Sequence, residues 1–119
     1  MADISMQLEI RRDGDIAVIE TKGYIDSAGG SSITSAYNKL FDEGIRRFVV
    51  NIAQRKFINS MGVLHLLEIA AQAQSSESTI AFCCATPTIA KSFEIMGLMN
   101  FASVYDTEDE ALQAYKSMQ

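Results

Sequence analysis

The residues best placed for chemistry are Asn59, Ser60, Met61 and Gly62, which join a predicted strand to a predicted helix. A helix start has unpaired N–H groups and the positive end of the helix dipole, so it favours a phosphate. Ser60 is therefore a candidate phosphorylation site. One alternative is that Asn59 or Ser60 only caps the helix, a role that both residue types favour. Another is that Ser60 is the nucleophile of a small hydrolase.

The single histidine, His65, gives little support to catalysis. It follows Ser60 by five residues, so on a helix the two side chains point about 140° apart. The sequence contains no nucleophile elbow, P-loop, dinucleotide-binding motif or His-rich cluster. We therefore expect no enzymatic activity, no catalytic residue, no cofactor and no metal site. His65 is expected to be exposed or half-buried.

Asp26 is the second polar candidate, because it directly follows a predicted strand. In isolation a helix cap is its expected role. A functional carboxylate is the alternative, which depends on the neighbouring strands. If the strand before Asp26 lies beside the strand that ends at Ile58, the two strand ends bring Asp26 near Ser60.

Sulfur-containing side chains form two further groups of candidates. Met61, Met96 and Met99 are expected to fill the core, and a soft docking surface is the alternative. Cys83 and Cys84 are adjacent in a strand-like run, where neighbouring side chains point to opposite faces. We therefore expect them to be buried free thiols that do not bond to each other, as in a reducing compartment.

Composition limits the class of protein. The chain has 119 residues, 48% hydrophobic and 21% charged, which suits one domain over residues 1–119, with residues 1–5 expected to be flexible. The net charge of -5 and the absence of a basic cluster argue against nucleic-acid binding. No segment approaches the run of about 18 apolar residues that spans a membrane. We expect a cytoplasmic protein without direct membrane insertion.

The periodicity predicts an α/β fold. Two alternating segments flank Asp13-Gly14, a two-residue hairpin pattern. Strands then alternate with helices, which predicts a mixed four- to five-stranded sheet with an N-terminal antiparallel hairpin and four helices packed against it. Gly29-Gly30 weakens the start of the first helix, where we expect a mobile loop. Thr86-Pro87 begins another helix, Gly97 ends it, and Thr107 caps the last one.

The ordered set of these elements resembles the STAS domain family, the bacterial anti-sigma factor antagonists and their relatives, over nearly the whole chain. Gly23-Tyr24-Ile25-Asp26 matches the Gly-x-Leu-Asp element of the family. Asn59-Ser60-Met61-Gly62 matches its Asp-Ser-Ser/Thr-Gly element at a helix start. Met96-Gly97-Leu98 and the segment 105–112 resemble its C-terminal part.

The resemblance implies a regulator of transcription that binds an anti-sigma factor serine kinase and acts as a monomer or weak dimer. Phosphorylation by that kinase ends the binding, and a cognate phosphatase reverses it. The phosphoacceptor of the family corresponds to Ser60, and its other functional aspartate corresponds to Asp26. The implied partner-binding residues are Gly23, Asp26, Asn59, Ser60, Met61 and Gly62.

Two residues depart from the family pattern. Asn59 replaces the usual aspartate and removes a carboxylate beside the acceptor, while Met61 replaces a small hydroxyl residue. These departures support an alternative function as a non-phosphorylated docking subunit of a signalling scaffold or of a transporter ATPase complex.

Overall fold

The computed structural model describes residues 7–25, 27–58 and 60–117, and its side-chain description omits residues 7, 23–28 and 54–60. As predicted, an N-terminal pair of strands is followed by alternating helices and strands. Their order is β1 (Gln7–Asp13), β2 (Ile16–Ile25), α1 (Ser27–Asp42), β3 (Arg47–Ile58), α2 (Ser60–Ser75), β4 (Thr79–Cys83), α3 (Pro87–Met96), a 3-10 helix (Leu98–Asn100), β5 (Ser103–Tyr105) and α4 (Glu108–Ser117). Along this described part of the chain, no helix has both the length and the apolar character needed to cross a membrane.

The five strands form one mixed sheet in the order β1-β2-β3-β4-β5. β1 and β2 pair antiparallel, and every later pair is parallel. The predicted hairpin is confirmed, but its turn lies one residue later, because Asp13 pairs with Ile16 and leaves Gly14 and Asp15 as the loop. Gly14 has a φ of 62°, a conformation that glycine adopts without steric cost.

Two apolar clusters hold the helices on the two faces of the sheet. The larger cluster joins α1, α2 and α3 to one face and includes the buried Tyr37, Phe48, Leu66, Phe82 and Phe93. The smaller cluster joins α4 to the other face and includes Val18, Val49, Cys83, Leu112 and Tyr115. Residues 48 and 49 enter different clusters because successive strand residues point to opposite faces.

Beyond the smaller cluster, polar groups connect β1 and β3 to α4. Arg11 donates two hydrogen bonds to the Glu108 carboxylate, of 2.9 and 2.8 Å, and a third of 3.0 Å to Glu20. Asn51 Nδ2 donates to Glu108 Oε1 at 2.8 Å. These bonds hold the pKa of Glu108 below its ordinary value, chiefly through Arg11. The start of α4 is thereby tied to the sheet.

The predicted helix boundaries of α3 and α4 are confirmed by their caps. Thr86 Oγ1 accepts a hydrogen bond from the Ile89 N–H at 3.2 Å. Gly97 has a φ of 82° and ends α3, as glycine does after many helices. At α4, Thr107 Oγ1 accepts from the Glu110 N–H at 3.1 Å.

The expectation of a mobile loop at Gly29-Gly30 is wrong, because α1 begins at Ser27 and both glycines lie within the helix. The structure gives a packing reason for Gly30. A Cβ on this residue would lie only 2.5 Å from His65 Cβ and 2.7 Å from His65 Cγ. Glycine therefore permits a closer approach of α1 to α2 than any residue with a side chain would allow.

The expected placement of the two cysteines on opposite faces is also wrong. Both are free thiols, but only Cys83 is buried as expected, whereas Cys84 is half-buried. β4 ends at Cys83, and Cys84 has a φ of 73°. The left-handed backbone breaks the strand alternation. Cys84 consequently packs against the same cluster in which Cys83 is buried.

Candidate functional site

The candidate site lies where β2 and β3 end. Ile25 and Ile58 are paired in the parallel register, and α1 and α2 start within two residues of these ends. The two strands are therefore neighbours, which is the condition under which Asp26 is expected to lie near Ser60. Asp26 and Asn59 themselves lie outside the described residues, as do the side chain of Ser60 and the surroundings of Gly23.

Ser60 is the first residue of α2. The first turn of this helix contains no acidic residue. The positive end of its dipole is thus not offset by a carboxylate from the same turn. A phosphate on this residue would add about -1.5 to -2 charge at a position where the helix favours an anion.

An exposed apolar surface begins directly after Ser60. Met61 is 49% exposed and Leu64 is 39% exposed, and the two residues lie three positions apart on the same side of α2. Gly62 and Val63, between them, are buried. The helix therefore turns one apolar side toward the core and a second one toward solvent.

The prediction that the methionines fill the core is wrong for all three. Met96 and Met99 are 37% and 48% exposed. They lie near the start of β5, which is parallel to β3, so they stand at the opposite end of the parallel strands from the Ser60 position. A cavity of about 310 Å³ lies at that end, between Met99, Phe101 and Tyr115. Met61 alone belongs to the candidate site.

His65 is half-buried, as expected, with a side-chain exposure of 23%. Its ring packs over Gly30 of α1, and its Nδ1 atom lies 3.8 Å from Glu68 Oε1. The histidine therefore fixes the spacing of α1 and α2 immediately behind their first turns. Among the described residues, no three His, Cys, Asp or Glu side chains form a group that could hold a metal ion.

Two features of this site were missed at the level of sequence. The apolar run of Val63, Leu64, Leu66 and Leu67 predicts a core-facing Leu64, although these are too many apolar residues for one side of a helix. That excess was the available indication of an exposed Leu64. The contact of Gly30 with His65 had no such indication, because the two residues are distant in sequence and meet only when the helices pack.

The fold and the site define a small α/β domain with a hydroxyl residue at a helix start beside an exposed apolar surface. The sequence model of the STAS domain matches residues 7–111. The chain therefore belongs to the STAS domain family.

Known proteins with similar sequences or folds carry names from the same group. A Bordetella bronchiseptica protein, provisionally named anti-sigma factor antagonist BtrV, is 23% identical over 112 residues, which are 94% of this chain and 97% of the relative. An anti-sigma factor antagonist from Mycobacterium paratuberculosis has a similar fold, with a TM-score of 0.78, 21% identity and coverage of 95% of this chain and 96% of its own.

The Bacillus cell fate determinant SpoIIAA, solved in its phosphorylated form, superimposes with a TM-score of 0.70. It is 22% identical, and the superposition covers 93% of this chain and 99% of SpoIIAA. At these identities the structural likeness shows the fold alone. The STAS-like fold predicted from the sequence is confirmed.

Proposed function

We propose that this chain is an anti-sigma factor antagonist that binds a serine kinase of the anti-sigma type and is released when that kinase phosphorylates Ser60. The observation that carries the proposal is the start of α2 at Ser60, followed at once by the exposed Met61 and, one turn after Ser60, Leu64. The proposed partner-binding surface consists of Gly23, Asp26, Asn59, Ser60, Met61 and Leu64. Gly62, which the sequence also predicts in this surface, is buried.

The physical reason for release is a change of charge beside an apolar contact. Met61 and Leu64 favour a partner surface that covers them, because burying apolar area is favourable. A phosphate on Ser60 would have to lose water on the same contact, which is costly unless the partner supplies cations. The start of α2 would stabilise the phosphate in the free protein, since the first turn of this helix contains no acidic residue.

Membership of the family and the names of the relatives support this proposal. SpoIIAA, a relative by fold, exists in a phosphorylated form. By analogy, we propose binding rather than catalysis as the activity of this chain, in the cytoplasm, with a phosphatase that restores the unmodified state.

Incubation of the chain with a purified anti-sigma serine kinase and Mg-ATP tests the phosphorylation. Intact-mass measurement is expected to show one added phosphoryl group, which Ser60→Ala abolishes. Ser31→Ala is the matched control, because Ser31 is an exposed serine on the neighbouring α1. Phosphorylation that persists in Ser60→Ala and disappears in Ser31→Ala would refute the assignment.

A titration of kinase affinity by calorimetry tests the docking surface. We expect Met61→Gln to weaken binding by about tenfold, the effect of losing about 1.4 kcal/mol of apolar contact. Met99→Gln is the control, because Met99 is equally exposed but lies at the opposite end of the parallel strands. Equal losses in both variants would contradict the proposed position of the surface.

The departures at Asn59 and Met61 favour one second function, a docking subunit that is not phosphorylated. In that case Met61→Gln lowers recovery of the native partner, while the kinase leaves Ser60 unmodified. Kinase-dependent modification of Ser60 in the intact chain would exclude this alternative.

A further inference from the structure

Cys83 and Cys84 lie together on one side of the sheet, although they are consecutive residues. Cys84 has a φ of 73°, in the left-handed region, which residues with a side chain rarely adopt. Its side chain packs against the same apolar cluster as that of Cys83, which is fully buried beneath α4. The left-handed residue at the end of β4 therefore produces a pair of adjacent thiols.

Backbone and capping hydrogen bonds restrict the segment that carries the two cysteines. The Cys84 N–H donates to the Tyr105 carbonyl at 3.1 Å, which joins this residue to β5. Two residues later, Thr86 caps α3. The relative position of the two thiols thus depends on β4, β5 and α3, so that it is more restricted than in a free loop.

The two thiols differ in access to solvent. Cys84 is half-buried and can meet a small reagent from solvent. Burial raises the pKa of the Cys83 thiol far above its ordinary value, and the neighbouring Cys84 thiol raises it further. Cys84 is therefore the first nucleophile of the pair, and Cys83 is the protected second one.

We propose that Cys83 and Cys84 form a vicinal dithiol modification site that closes to an intramolecular disulfide on reaction with a hydroperoxide. In the first step the Cys84 thiolate attacks one peroxide oxygen, and the O–O bond breaks. Cys84 becomes a sulfenic acid, and the leaving oxygen takes a proton to become water or an alcohol. The peroxide has then accepted two electrons from sulfur.

In the second step the Cys83 sulfur attacks the Cys84 sulfur and displaces its hydroxyl group. The thiol proton of Cys83 leaves with that hydroxyl group as water. Two thiols and one hydrogen peroxide thus give one disulfide and two molecules of water. The closeness of Cys83 favours this closure over further oxidation of Cys84.

Intact-mass measurement of the chain after treatment with one equivalent of hydrogen peroxide tests the proposal. The sequence contains only two cysteines, so a monomer that has lost two hydrogen atoms must join Cys83 to Cys84. We expect this mass together with the loss of both titratable thiols, and dithiothreitol restores both.

Two variants separate the roles of the thiols. Cys83→Ser is expected to stop at a Cys84 sulfenic acid that dimedone labels, whereas Cys84→Ser is expected to keep its remaining thiol unmodified in the folded state. A wild-type chain that accumulates a dimedone adduct, a sulfinic acid or a disulfide-linked dimer, and no monomer lacking two hydrogen atoms, would overturn the proposal.

Discussion

The close approach of α1 to α2 predicts an unusual response to the substitution Gly30→Ala. In an ordinary helix interior, alanine is more favourable than glycine by about 1 kcal/mol. Here the added methyl group would lie 2.5 Å from His65 Cβ, 2.7 Å from Cγ and 2.9 Å from Cδ2. A Cβ–Cβ contact cannot be relieved by rotating a side chain, so the two helices must move apart.

The expected change in the free energy of unfolding is the cost of overpacking minus the gain in helix propensity. Overpacking in a close-packed interior costs about 1–3 kcal/mol, and a contact with a backbone-anchored atom belongs to the upper part of that range. After subtraction of the helix propensity gain, Gly30→Ala is expected to lower the free energy of unfolding by roughly 1–2 kcal/mol. In a His65→Gly background the clash is absent, and the same substitution is expected to raise it by about 1 kcal/mol.

Urea unfolding of the wild type, the two single variants and the double variant measures this change of sign. The double-mutant cycle isolates a coupling energy of about 2–3 kcal/mol between positions 30 and 65, whatever His65→Gly costs by itself. Equal slopes of free energy against urea would confirm that the variants unfold in the same way. A Gly30→Ala chain that is more stable than the wild type, or the same sign in both backgrounds, would refute the reasoning.

Two further predictions concern α4 and α3. Glu108→Gln is expected to lower the free energy of unfolding by roughly 1–2 kcal/mol at neutral pH, because Arg11 and Asn51 bond to this carboxylate. Since the folded pKa of Glu108 is lowered, its contribution is present above the unfolded pKa of about 4.3 and is lost as the pH falls through the folded value. The difference in the free energy of unfolding between Glu108→Gln and the wild type should therefore shrink on acidification. A difference that stays constant in urea titrations down to low pH would contradict the role of the Glu108 carboxylate. Thr86→Ala is expected to cost about 1 kcal/mol in the same assay through loss of the helix cap, whereas the exposed Thr88→Ala is expected to cost nothing, and equal losses would contradict the role of Thr86.

The fold class was predictable because it depends on local patterns. Alternation around Asp13-Gly14 predicts the hairpin, and the proline and glycine at residues 87 and 97 predict the ends of α3. The serine at the start of α2 was predictable for the same reason, since caps and strand ends have local sequence preferences. The position of the candidate site in the sheet follows from the order of its elements.

The composition of the functional surface was less predictable, because exposure is decided by packing among distant residues. The sequence predicts Met61 and Leu64 as core residues. In the structure, Val63 and Leu66 are the buried residues of this helix, and Met61 and Leu64 are exposed. Apolar character alone does not distinguish the two sides of such a helix, since both are hydrophobic.

The sequence by itself determined the alternation of strands and helices, the caps and the position of Ser60 at a helix start, since each depends on a few consecutive residues. Only the tertiary structure decided that Gly30 lies against His65, that Glu108 is bound by Arg11, and that Cys83 and Cys84 lie on the same side of the sheet. The first two contacts join residues far apart in the chain. The third depends on the left-handed backbone of Cys84, which no local sequence preference predicts.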